Sequence, residues 1–155
     1  MVSRRVGEDV VSPYLVEKLD PERFRHYWPQ IEKELDNVPH IWAYWWTKES
    51  IVEFVLEGRF QCWTVGTERM VQGVLFSQIA HYPANAIFQV LFAFGEGMSE
   101  MLDELDATMS KFAVFNGCAY AEVIGRPGWQ PKLRRQGFRY NRTVLMKEFE
   151  PIRMN

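Results

Sequence analysis

Tyr120 and Glu122 stand two residues apart in the run Ala119-Tyr120-Ala121-Glu122-Val123-Ile124. On an extended strand that spacing sends both side chains to one face. A carboxylate and a phenol so placed can serve as a general base and a general acid. They can equally form a hydrogen-bonded pair at the edge of a core. A second candidate set is aromatic: Trp42, Tyr44, Trp45 and Trp46 crowd the short connector at residues 40–46. Rings at such density fill a core, line a small-molecule pocket or anchor a protein contact. At least two of them are expected in the core.

Other chemistries find less support. Cys62 and Cys118 have no metal-type spacing, and His26, His40 and His81 are scattered. Both cysteines sit in apolar runs, which predicts two buried free thiols in a reducing compartment. His81 lies near a turn and is expected at the surface.

The elements that must position these groups follow from the pattern of apolar residues. Residues 9–18 read as a first strand, with Pro13 at an edge or bend. Asp20-Pro21 is a cap and first-turn pair, and Phe24, Tyr27, Trp28, Ile31 and Leu35 recur at helical spacing. Beyond the aromatic connector, Thr47 caps a second helix whose apolar face is Ile51, Phe54, Val55 and Leu56. Strands follow at 60–65, 70–80 and 86–94, the last almost continuously apolar, as a strand covered on both faces should be. Met101, Leu102, Leu105, Met109, Phe112 and Val114 form one side of a long helix that Asn116-Gly117 ends. A strand at 119–124, a short helix at 127–136 and a last strand at 143–149 complete the order β-α-α-β-β-β-α-β-α-β.

At 155 residues, 47% hydrophobic and 15% aromatic, the chain suits a single domain over 1–155 with an ample core. A net charge of −2 supplies no global drive toward nucleic acid or membrane. The opening MVSRRVGEDVV lacks the apolar core of a signal peptide, and no run reaches the length of a membrane span. A soluble, intracellular protein is expected. Charge is bipolar along the chain. Glu96, Glu100, Asp103, Glu104 and Asp106 meet no Lys or Arg between Gly95 and Asp106, whereas Arg126, Lys132, Arg134, Arg135, Arg139, Arg142 and Lys147 dominate the C-terminal third. That asymmetry suits head-to-tail assembly or an acidic partner. Without a stacking platform or base-reading motif, nucleic-acid binding is not expected.

The element order resembles the GNAT acetyltransferase fold over nearly the whole chain, an α/β layout with a mixed central sheet of about six strands and flanking helices. Two local features carry the resemblance: Gly95-Glu96-Gly97 between the apolar strand and the long helix, and Glu122-Val123-Ile124-Gly125-Arg126-Pro127-Gly128-Trp129 followed by Gly137-Phe138. The second string is similar to GNAT-like proteins encoded by tailed bacteriophages. The resemblance implies an acetyl-CoA pyrophosphate at the start of the long helix, near Phe94, Gly95, Gly97 and Met98, where backbone N–H groups and the helix dipole favour an anion. It also implies an acceptor wall at Trp42, Tyr44, Trp45 and Trp46. Several positions depart from the family pattern. Phe92 stands where the loop usually opens with Gln or Arg, Glu96 sets a carboxylate between the glycines, and Leu133 replaces a frequent Tyr. The central strand's one polar side chain, Gln89, cannot act as a base. The resulting expectation is a phage-type GNAT-like protein with degenerate motifs. It would act through protein partners or as a homo-oligomer in a virion or its assembly, in the cytoplasm of the host cell. The alternative is an active acetyl-CoA-dependent N-acetyltransferase, with Glu122 and Tyr120 as base and acid.

Overall fold

Asp20 starts the first helix in the way its position predicts: its carboxylate accepts the Arg23 N–H at 2.8 Å, satisfying one of the donors a helix start leaves open. The computed structural model describes residues 14–67, 69–96, 98–125 and 129–151. In chain order, these form β1 (Leu15–Lys18), α1 (Pro21–Leu35), α2 (Lys48–Leu56), β2 (Phe60–Gly66), β3 (Val71–His81), β4 (Ala86–Gly95), α3 (Leu102–Phe115), β5 (Cys118–Val123) and α4 (Gln130–Arg134). A reciprocal cap opens α2, with the Ser50 N–H on Thr47 Oγ1 and the Thr47 N–H on Ser50 Oγ. Short 3-10 turns at Pro39–Ile41 and Met98–Met101 lead into the aromatic connector and α3.

The chain divides into two units, residues 1–125 and 126–155. The first holds one sheet in the order β1-β2-β3-β4-β5. Its first four strands are antiparallel neighbours, and β5 returns parallel to β4 after α3. One face carries α1 and α2. There Phe24, Ile31, Leu35, Ile51 and Val55 pack with Phe60, Cys62, Val74, Phe76, Phe92 and Phe94. Trp42 joins this core and donates its indole N–H to the Leu35 carbonyl at 2.9 Å, closing the end of α1. On the opposite face, α3 sets Phe112 edge-on to Trp63 and Phe88, with ring centroids 5.3 and 6.0 Å apart.

A β-bulge in β4 connects the two cores. Phe76 pairs with Phe92 and Ser77 with Val90, which leaves Leu91 as an extra residue. Before the bulge, Phe88 lies against Trp63 and Phe112. After it, Phe92 stacks on Phe76 at 4.9 Å, in the core beneath α1 and α2. Regular alternation would have left Phe88 and Phe92 on the same face.

The sheet has five strands rather than about six, because residues 143–149 form no strand. The composition of that segment suits a strand, but strand propensity is realised only against a neighbour that takes up the N–H and C=O groups. Among the described residues it has no such ladder, and Leu145 is 90% exposed. Of the predicted first strand, residues 9–13 lie outside the described residues, as do 126–128 around the predicted short helix. Both cysteines are free. Cys62 is buried as expected, whereas Cys118 is only half-buried because it opens the edge strand β5.

Candidate functional site

Gln89 is the single polar side chain inside the apolar strand β4, and it is 94% shielded from solvent at 6% exposure. Burial on those terms requires hydrogen-bond partners, and the sheet register supplies them. Phe60 stands opposite Gln78, Gln78 opposite Gln89, and Gln89 opposite Glu122. Gln78 Nε2 donates to Gln89 Oε1 at 2.9 Å, and Gln89 Nε2 donates to Glu122 Oε1 at 2.9 Å. An ionised carboxylate only accepts. Glu122 therefore fixes which way the Gln89 amide points, and Gln89 in turn fixes Gln78.

Tyr120 precedes Glu122 by one alternation on β5, opposite Ile87, and is 61% exposed. The structure thus places the predicted acid–base pair on one strand face. The described bond to Glu122 comes from Gln89. At the β2 end of the row, Trp46 packs edge-on to Phe60 and leans on Phe92, with centroids 5.5 and 5.4 Å away. Trp45 and Tyr44 follow outward from Trp46 as a run of ring contacts and are 53% and 72% exposed. The connector therefore splits: Trp42 and Trp46 belong to the core, while Tyr44 and Trp45 form an open aromatic rim.

The backbone beside this row is unevenly paired. Strands β4 and β5 pair from Ala86 with Cys118 to Val90 with Val123, and the Ile124 N–H reaches the Val90 carbonyl at 3.1 Å. Past that point, the described residues give β4 a ladder only toward β3, from Leu91 onward. The described pairing of the two strands ends at the bulge, and among the described residues no ladder partner stands on the β5 side of the outer half of β4.

The loop after β4 is built for close packing. Gly95 has φ +121°, and a Cβ there would lie 2.2 Å from the Gln72 carbonyl oxygen. Its neighbour Glu96 spends its N–H on the same carbonyl, at 3.1 Å. Met98 is buried, with its sulfur where a side chain on Gly73 would be, and Phe94 is a core residue. Gly97 lies outside the described residues. The following helix begins on acidic residues Asp103 and Glu104, with no side-chain cap from Met101. One Glu104 carboxylate oxygen is buried without a hydrogen-bond partner, and burial raises the Asp106 carboxyl above its ordinary value. Burial also raises both thiols, Cys62 strongly, which leaves neither activated as a nucleophile. Among the described residues no three His, Cys, Asp or Glu side chains could hold a metal ion, and no helix is long and apolar enough to cross a membrane. A shallow dimple between α1 and the sheet, lined by Tyr27, Ile31, Thr64 and Val74, has no room for a water molecule and lies away from the polar row.

Solved structures resemble this architecture over nearly their full length. An aminoglycoside acetyltransferase from an uncultured soil metagenomic sample, in complex with sisomicin, aligns over 91% of this chain and 97% of its own, with TM-score 0.64 and 9% identity. The fold is that of the GNAT acetyltransferases. A predicted acetyltransferase with acetyl-CoA from Clostridium acetobutylicum aligns over 87% of this chain and 96% of its own, with TM-score 0.64 and 10% identity. A ribosomal-protein-alanine N-acetyltransferase from Brucella melitensis biovar Abortus 2308 covers 88% and 99%, with TM-score 0.63 and 9% identity. No sequence-family model matches the chain, and no curated protein matches its sequence. At such identities the likeness fixes the GNAT fold, and activity must be argued from the site.

Two parts of that site escaped the sequence reading. Gln78 drew no attention, although a turn at residues 82–85 places Gln78 and Gln89 at equal distance on its two sides, which is a usable signal. The Leu91 bulge left no local mark.

Proposed function

We propose that this chain is an acetyl-CoA-dependent acetyltransferase acting on an amine, with Glu122 as general base. The observation that carries the reading is the end of the described β4–β5 pairing at the Leu91 bulge, beside a part-buried polar row that ends in a carboxylate. A half-paired strand offers backbone groups to a bound chain molecule, and an amide-oriented carboxylate offers a proton acceptor next to it. Acetyl-CoA, when bound, supplies the activated acyl group as a thioester. Residues 91–95 of β4 would hold it through their open edge. Of the pyrophosphate positions expected near Phe94, Gly95, Gly97 and Met98, the adjoining Glu96 N–H is already committed to Gln72. Glu122 takes the proton that an ammonium must lose before its nitrogen can attack. As the new C–N bond forms and the thioester C–S bond breaks, Tyr120, on the same face, would give its phenolic proton to the departing CoA thiolate. Trp45 and Tyr44 offer ring faces that attract a cationic acceptor.

Calorimetric titration with acetyl-CoA, followed by thiol-release assays, tests this. Aminoglycosides, polyamines and alanine-starting peptides make a suitable acceptor panel. Glu122→Gln should lower kcat by roughly 10²–10⁴-fold while leaving acetyl-CoA affinity unchanged. Absence of acetyl-CoA binding at millimolar concentration would sink the reading.

A second reading is a non-catalytic assembly component working through protein contacts, in keeping with the resemblance to phage-encoded proteins. It draws on exposed apolar side chains: Tyr44 and Trp45 in the first unit, Val144, Leu145, Met146 and Phe149 in the second. It expects symmetric oligomers in light scattering or co-purification with virions from infected host cytoplasm, together with indifference to acetyl-CoA.

A further inference from the structure

We propose that Gln89 and Gln78 are positioning residues for Glu122, forming a hydrogen-bonded row that holds the carboxylate in one orientation for catalysis. The inference rests on the acetyltransferase reading and deepens it. Its ground is the direction of the bonds. Glu122 Oε1 accepts from Gln89 Nε2 at 2.9 Å, so the Gln89 oxygen is turned to Gln78 Nε2, again at 2.9 Å. A row so directed is polarised from its anionic end, each bond favouring the next.

The fold makes the row stiff. The three residues are direct cross-strand neighbours on three adjacent strands, and β4 is hydrogen-bonded on both sides at Gln89. Gln89 is buried, which removes competing water from the bond that matters most. Phe60 continues the row on β2, with Trp46 packed against its ring. The aromatic rim and the carboxylate are thereby tied to one rigid line of side chains. An unsupported Glu at the edge strand would sample several rotamers, and a displacement near 1 Å at a reacting group costs about 10²-fold in rate.

The test uses the full-length protein and near-isosteric apolar variants that keep the volume and delete the bonds. Gln89→Met should lower kcat by roughly ten- to a hundredfold, with the KM for acetyl-CoA unchanged, and Gln78→Met should lower it less. Gln89→Glu, which sets a second anion against Glu122, should be worse than Gln89→Met. A thermal melt of each variant identifies any that fails to fold. Side-chain amide NMR supplies a readout that does not depend on turnover: Glu122→Gln should move the amide resonances of both Gln89 and Gln78, although Gln78 lies two strands away. Wild-type turnover with Gln89→Met at undiminished kcat overturns the positioning role and leaves the acetyltransferase standing. So does a Gln78 resonance indifferent to Glu122→Gln. A wild-type protein that binds no acetyl-CoA and turns over no amine overturns the acetyltransferase reading itself, and the catalytic role of the row falls with it.

Discussion

Two polar networks cross the sheet, one on each face, and they end differently. Toward α3, the Trp63 indole donates to Ser77 Oγ at 2.9 Å and Ser77 donates to Gln61 Oε1 at 2.8 Å. All three are buried, none is ionisable, and aromatic rings seal the set. On the other face, the Gln78–Gln89–Glu122 row runs outward to a carboxylate on the edge strand. The closed network satisfies groups that a dense core would otherwise strand at a cost of about 1–3 kcal/mol each. The open one delivers a charge to a partly solvated edge. Similar bonds serve packing on one face and, under the proposed function, would serve chemistry on the other; what separates them is the ionisable terminus.

The bulge that keeps the two faces distinct is the place to break the contrast hardest. Deleting both Val90 and Leu91 removes the bulge and one further step of the strand and turns Phe92 and Phe94 away from the α1–α2 core, since a one-residue slip sends every later side chain to the other face. Loss of cooperative unfolding by circular dichroism is expected. Next in size, Trp63→Ala should destabilise by about 3–5 kcal/mol in urea titration, because it opens a cavity and leaves Ser77 without its donor. Glu122→Gln should change stability by less than about 1 kcal/mol while abolishing most turnover. A reversed order, with Glu122→Gln the more unfolding, would erase the distinction between a structural and a chemical network.

The smallest effect concerns α3. Asp106 has its carboxyl pKa raised in the folded state, chiefly by burial, with Asp103 adding to the rise and Ser110 opposing it. A raised carboxyl favours the native state in acid, and that advantage is lost as pH rises through the folded pKa. Asp106→Asn should therefore raise the stability slightly at pH 7, by less than about 0.5 kcal/mol once solvent screening is allowed for. The gain should shrink toward zero as pH falls through the ordinary carboxylate range.

The order of elements was legible because helical and strand periods announce themselves locally. Asp20-Pro21, the Thr47 cap and the run of β4 each sit where the pattern places them. The parity change inside β4 was not legible. A strand with apolar residues on both faces gives no alternation to interrupt, so an extra residue at Leu91 passes unseen. The strand expected at residues 143–149 failed for a related reason: propensity describes a segment, and a ladder needs a second one. At the candidate site, the shared strand face of Glu122 and Tyr120 could be read from spacing alone. The partner of Glu122 depends on register between β4 and β5, which is set by a crossover through α3 and not by any short motif.

The two cysteines turn the molecule into its own gauge. Cys62 lies sealed under α1 and α2, while Cys118 sits half-open at the first position of β5. A thiol-directed dye will mark Cys118 alone in the folded protein, with no engineering. Its emission then follows the edge strand that carries Tyr120 and Glu122, and any second labelling event signals that the shielded face has come undone.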